Sequence, residues 1–331
     1  MVEKYNFIGE NLTPERKKSA EEVLNNWHES AKTKSEKEIE KTPEDSALIE
    51  KAKDILNQEL KSLNVQPDFD LNPEIVHIIS SDEITSSGFY YEDSREIEII
   101  RSKHKIVFLF NVIEEFVKKI LYRNRKKRDS ELATIIHEFI HSTSHNKYLL
   151  KKNRDGQRIS CRRTGYKTKR DWEHTLFDGF DEAIVDKLSN EIVLKQYKVF
   201  EKNNVRNNLY KSLTRFLGGY PIQIKIIEKI IKKIAEVKNE AEEEVWKRFK
   251  IGEFTGNMMH LRDVENAYGP GSLRILAQMP GKNGDKEELD AYYDYFATSN
   301  EESLNKIQNL YIKKDQKEKL NYHVGKMENT K

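Results

Sequence analysis

An α+β fold is expected of this chain, because its strand-like and helix-like stretches fall in separate blocks instead of alternating. Short extended runs cluster between 75 and 100, where REIEII (95–100) puts Ile97 and Ile99 on one side and Glu96 and Glu98 on the other. Before that block, and again after residue 200, apolar residues recur at three- and four-residue spacing, the period of a helix with one buried face. Three parts follow: an N-terminal helical extension (1–65), a core (66–200) and a helical C-terminal subdomain (201–331).

Residues 13–63 read as two helices. Pro14 and Pro43 each suit a first helical turn, and Leu48, Ala52, Ile55, Leu56, Leu60 and Leu63 give the second helix its apolar stripe. Strands are expected at 75–80, 88–91 and 95–100, the last two as a hairpin turned at Glu92-Asp93-Ser94. A helix is expected over 108–122 and then a polar connector. Asp129 or Ser130 can cap the next helix, whose buried face is Leu132, Ile135, Ile136, Phe139, Ile140 and Thr143. The run from 151 to 171 is turn-rich and reads as a second hairpin. Helices follow at about 180–195, 205–217, 221–239, 241–250, 258–268, 271–279, 286–297 and 300–313. YGPGSL (268–273) reads as a helix–helix joint and AYYDYF (291–296) as packing between helices. The last residues read as a loose tail.

The 331 residues are enough for a sizeable core, and no run approaches the ~18 consecutive apolar residues of a membrane span. The first residues lack the apolar run of a secretory signal. Cys161 stands alone, so no internal disulfide forms, and a reducing cytoplasm is the expected setting. Its neighbours Arg158, Arg162 and Arg163 would favour a thiolate, but the simpler reading is an ordinary reduced cysteine. Net charge is +2, which excludes a polybasic nucleic-acid binder over the chain as a whole. Residues 101–170 nevertheless hold 20 Lys or Arg against 6 Asp or Glu, which makes an acidic substrate or a nucleic acid worth considering as a partner.

The basic region surrounds TIIHEFIHSTSHN (134–146), which sets His137, Glu138 and His141 in the pattern H-E-x-x-H. At ~100° per residue, His137 and His141 come from adjacent turns and lie away from the centre of the buried face. Two such imidazoles can hold one Zn²⁺, and a glutamate beside the first can take the proton of a water attacking a carbonyl. Five residues alone match by chance in roughly 3% of sequences with this composition, so a third ligand decides the weight. FDGFDEAIVDKLSNEI (177–192) offers one. Its apolar side is Phe180, Ile184, Val185, Leu188 and Ile192, leaving Glu182 to bind zinc and Asp186 to accept the free N–H of a ligand histidine.

HEFIH followed by DEAIVD resembles the gluzincins, the thermolysin-like zinc metallopeptidases with H-E-x-x-H and then E-x-x-x-D. The resemblance covers 75–195 and implies His137, His141 and Glu182 as ligands, Glu138 as general base and Asp186 behind a ligand. It also implies a zincin-like fold: a small mixed β-sheet whose edge strand borders the cleft, the active-site helix, and a mostly helical lower subdomain. The metzincin pattern fits less well, since Ser144 and Lys147 stand where its glycine and last histidine would be. His145 is a rival ligand. His174 would be the third ligand in a crosslink-protease reading, but lacks the glycine that usually follows. The resemblance implies a Tyr or His that stabilises the oxyanion. Tyr166, His174, His260 and Tyr268 are the candidates, with Tyr166 favoured. The expected activity is zinc-dependent hydrolysis of a peptide or protein. The alternatives are a metal-binding zincin fold without turnover and a nucleic-acid-associated protease.

Overall fold

The computed structural model describes residues 6–9, 12–32, 38–67, 71–81, 88–91, 96–102, 131–153, 156–170, 174–196, 219–281 and 284–310. It is an α+β protein of mostly helical content with two small mixed sheets. The helices expected at 108–122 and 205–217, the turn at 92–94 and the tail lie outside the described residues.

The first sheet is built from β2 (Glu38–Ile39), β3 (Val76–Ser81), β4 (Gly88–Tyr91) and β5 (Glu96–Ser102), in the order β2-β3-β5-β4. β3 and β5 are parallel, whereas β2 and β4 run antiparallel at the two edges. The alternation read from REIEII holds. Val76, Ile78, Ile97 and Ile99 are buried on one face, while Tyr91 donates to Glu98 and His77 meets Glu38 on the other. The register puts Tyr90 opposite Ile97 and Gly88 opposite Ile99, so both belong to the inner face.

A second sheet takes the place of the hairpin expected at 151–171. It comprises β1 (Phe7–Ile8), β6 (Asn146–Asn153), β7 (Gly156–Thr164), β8 (Lys167–Arg170) and β9 (His174–Leu176), in that order. The hairpin is there as β6 and β7, but the chain keeps doubling back through Gly165 and adds two more strands. β1 joins β6 in parallel, and helix α1 (Pro14–Lys32) lays Ala20 and Leu24 over Phe7, Tyr148, Leu150 and Ile159.

The segment read as an N-terminal extension is thus built into both sheets. Its second helix, α2 (Pro43–Ser62), enters the main core with Ile49, Ala52, Ile55, Leu56 and Leu60. A capping box opens α2: Thr42 Oγ1 accepts from the Asp45 N–H, and Asp45 accepts from the Thr42 N–H. α2 faces α3 (131–143) and α4 (Asp178–Lys195) across that core. The C-terminal helices are α5 (Pro221–Lys238), α6 (Glu242–Thr255), α7 (Arg262–Tyr268), α8 (Ser272–Ala277), α9 (Lys286–Thr298) and α10 (301–310). Tyr292, Tyr295 and Phe296 of AYYDYF are buried among them, as their spacing suggested. Among the described residues no helix is long and apolar enough to cross a membrane.

Glu59 ties α2 to the helices behind it. Its carboxylate meets Lys195 Nζ at 2.5 Å and Lys250 Nζ at 3.1 Å. Burial pushes the Glu59 carboxyl up, but the two ammonium groups outweigh burial and hold it below the usual range. The ionised pair therefore stabilises the fold above the unfolded carboxyl's pKa of about 4.3. That contribution is lost as pH falls through the lower folded value. Glu59→Gln should cost about 2 kcal/mol at pH 7, read as a lower urea midpoint at unchanged slope. The difference between variant and wild type should vanish once pH falls below that lowered folded value, where the wild-type carboxyl is itself neutral.

Candidate metal centre

Helix α3 supplies the first half of the site. Leu132, Ala133, Ile135, Ile136, Phe139 and Ile140 anchor it in the core, which fixes the directions of His137, Glu138 and His141. Helix α4 supplies the second half. It is buried nearly all round, from Phe180 to Val193. Its start is held unusually: Phe177 is left-handed (φ 62°), and no side chain caps the helix. Instead the N–H groups of Phe177 and Gly179 donate to the carbonyls of Ala277 and Met279, at 2.6 and 3.2 Å. Gln223 at the start of α5 grips the same loop through the carbonyls of Pro280 and Gly281. The helix that carries Glu182 is therefore set in place from the C-terminal half of the chain.

The two halves bring three donor atoms together. His137 Nε2 and His141 Nε2 are 3.2 Å apart, and Glu182 Oε2 is 3.5 Å from each. Two donors at 2.0–2.2 Å from one tetrahedral ion would be about 3.3–3.6 Å apart, so this triangle is within about 0.1 Å of what Zn²⁺ requires. The far side of each imidazole meets a carboxylate of α4. His137 Nδ1 is 3.0 Å from Asp186 Oδ1, and His141 Nδ1 is 3.7 Å from Asp181 Oδ2. Each contact leaves Nε2 turned toward Glu182.

The electrostatics follow from burial and proximity. Burial pushes His137 down, but the hydrogen bonds to Asp186 and Glu182 outweigh it and set the imidazole well above its usual value. Burial likewise pushes His141 down, and Glu182 more than reverses that. Burial pushes Glu182 up, yet the two histidines hold it well below the usual carboxylate range. Glu138 is only 6% exposed, and burial raises it against the partial offset of both histidines.

Edge strand β4 runs over this helix. A side-chain carbon added at Gly88 would lie 2.8 Å from Thr134 Cγ2 and 2.9 Å from Glu138 Oε1, so a larger residue there would displace one of those side chains. Two residues along, the Tyr90 ring stacks parallel to His141, with centroids 6.4 Å apart.

The other candidates are occupied elsewhere. Tyr166 has no exposed surface, and its hydroxyl donates to the Phe249 carbonyl at 2.8 Å and lies 2.7 Å from His260 Nε2. Burial, helped by the Arg248 charge, lowers His260 to about 4, so this pair is a neutral core contact. Tyr268 donates to the Phe296 carbonyl and packs on Tyr295 and Phe296. The His145 ring lies against Gly256, apart from the donor triangle. The side chain of His174 lies outside the described residues.

A residue that sequence reasoning passed over lies nearer the triangle. Tyr220, immediately before α5, lies close to Glu182. Burial raises its phenol strongly, and the charges of Glu182, Asp178 and Asp186 add to that, so it stays a donor at any ordinary pH. No family model, no curated protein and no solved structure matches this chain.

Proposed function

We propose that this protein is a zinc-dependent metallopeptidase with a zincin-like active centre. The observation that carries the reading is the donor triangle of His137, His141 and Glu182, with one carboxylate behind each imidazole and Glu138 beside it. The mixed sheet with an antiparallel edge strand over the H-E-x-x-H helix supports the same reading, because an extended peptide could lie along that edge within reach of Glu138.

His137, His141 and Glu182 would hold the ion. Zn²⁺ bound there supplies a Lewis acid that acidifies a water and polarises the scissile carbonyl. Glu138 takes the proton of the attacking water and returns it to the amine nitrogen as the C–N bond breaks. Its raised pKa, caused by burial, suits a group that must both accept and release that proton. Tyr220, close to Glu182, donates its O–H to the carbonyl oxygen as negative charge develops there. The role first given to Tyr166 passes to Tyr220, because the Tyr166 hydroxyl is bound inside the core.

The test is zinc content by mass spectrometry together with cleavage of an unfolded protein substrate. One zinc per chain, with cleavage abolished by a chelator and restored by zinc, is the expected result. Neither zinc nor cleavage after reconstitution would end the proposal. Tyr220→Phe should retain zinc and lower kcat on the order of 100-fold with KM little changed, the pattern of a donor used in the transition state.

A further inference from the structure

We infer that Glu253 of α6 is a positioning residue for His141, acting through Asp181; this rests on the reading of His141 as a metal ligand. Asp181 is 0% exposed, and its two oxygens do different things. Oδ1 accepts the backbone N–H groups of Tyr166 and Lys167, at 2.6 and 3.0 Å. Oδ2 faces His141 Nδ1 and has no hydrogen-bond partner among the described residues. At 3.7 Å that approach is an ion-pair distance, longer than a hydrogen bond, so what fixes the carboxylate decides how well it holds the ring.

Glu253 does the fixing. It is also 0% exposed, its carboxyl lies beside that of Asp181, and its Oε1 accepts from Ser144 Oγ at 2.5 Å. Asp181, Glu253 and His141 place one nitrogen or oxygen each within 4.8 Å of the others. The end of α6 therefore lies directly against the Asp181 carboxyl. Nearby Arg163, whose guanidinium donates to the carbonyls of Gly165 and Gly256, brings a positive charge to the two carboxyls.

The backbone around the pair is shaped for it. The turn between β7 and β8 has Gly165 at φ +56°, and a side chain there would overlap both Glu253 Oε1 and Asp181 Oδ1. The Gly165 N–H donates to the His145 carbonyl, and the His145 N–H donates to the Glu253 carbonyl. The end of α3, the β7–β8 turn, α4 and α6 therefore meet at one point, directly behind His141. His137 has Asp186 at 3.0 Å and needs no such support, whereas Asp181 stands farther from its histidine and is braced from a helix some seventy residues downstream.

The experiment compares Glu253→Gln, Glu253→Leu and Ser144→Ala in the full-length chain, with two readouts. One is the low-field Nδ1–H resonance of His141 in histidine-labelled protein, which is sharp only when an acceptor holds that proton and needs no metal. The other is zinc affinity by chelator competition. Glutamine can donate to Asp181 and accept from Ser144, so Glu253→Gln should keep the resonance and bind zinc within about threefold of wild type. Glu253→Leu should lose the resonance and bind zinc about 10-fold more weakly, the size of effect expected when an outer partner of a ligand is removed. Ser144→Ala, a change too small to unfold the chain, should broaden the resonance without abolishing it. An unchanged His141 signal in Glu253→Leu, or in Ser144→Ala should the leucine variant not fold, would overturn the inference. So would a glutamine variant as damaged as the leucine one. Wild-type protein that binds no zinc would instead remove the functional reading and leave the proton resonance to judge the inference by itself.

Discussion

Glu138→Gln should bind one zinc as wild type does and lose peptide hydrolysis on the order of 1000-fold. Glu138 is not among the three donor atoms that converge, so replacing its carboxylate by an amide leaves the triangle intact. It does remove the carboxylate proposed to accept the proton of an attacking water. The shape is preserved as well. Glutamine matches the volume that the absent side chain at Gly88 leaves open, whereas a larger residue on either side would push β4 off α3. In the metal-free protein the substitution should not lower stability. Burial already raises the Glu138 carboxyl, which means that its ionised form is less welcome in the folded chain than in the unfolded one, and a neutral amide avoids that penalty. Zinc stoichiometry, cleavage rate and metal-free melting temperature check the three parts separately. A variant that cleaves at the wild-type rate would take the general-base role away from Glu138.

Local periodicity made part of this molecule legible, and tertiary placement hid the rest. REIEII could be read because alternation of isoleucine and glutamate has one structural solution, a half-buried strand. The apolar faces of α2, α3 and α9 were readable for the same reason, and so were His137, Glu138 and His141 on α3; Glu182 and Asp186 were read from their one-turn spacing, although α4 is buried nearly all round and Asp186 with it. The second sheet was only half visible. Its strands between 146 and 176 are rich in charged residues on both sides, so their period is weak, and β1 and β2 are two residues each, too short to leave a pattern. Their existence depends on partners far along the chain: Phe7 on Tyr148, Glu38 on Ile79. Tyr220 carried no local signal, since its reach to Glu182 comes from the seating of α5 against α4. Asp181 could have been suspected as the neighbour of Glu182 in DEAIVD, but Glu253 sits in a helix that otherwise reads as ordinary packing. Tyr166 was favoured for lying just before the acidic helix. It does lie there, but the side chain turns into the core toward Phe249 and His260.

Glu182→Ala should weaken zinc binding by at least about 100-fold, beyond what loss of an outer partner causes, because it removes a donor instead of a support for one. Stability shows the change without any assay of activity. A ligand present at 1000 times its Kd adds about 4 kcal/mol to the folded state, so a chelator should lower the Tm of wild-type protein clearly and that of the variant hardly at all. The metal-free proteins should differ too, in a direction set by the histidines. Glu182 lies 3.5 Å from both imidazoles and is a principal reason that His141 stands above its usual value. A histidine raised in the folded state stabilises it fully below the unfolded value of about 6.5, and that contribution is lost as pH rises through the folded value. Removing Glu182 should therefore cost more stability at pH 5 than at pH 9. Retention of one zinc at wild-type affinity would mean that the third donor is not Glu182. The same ion-pair dependence on pH would still appear, since it needs only the two histidines and the carboxylate between them.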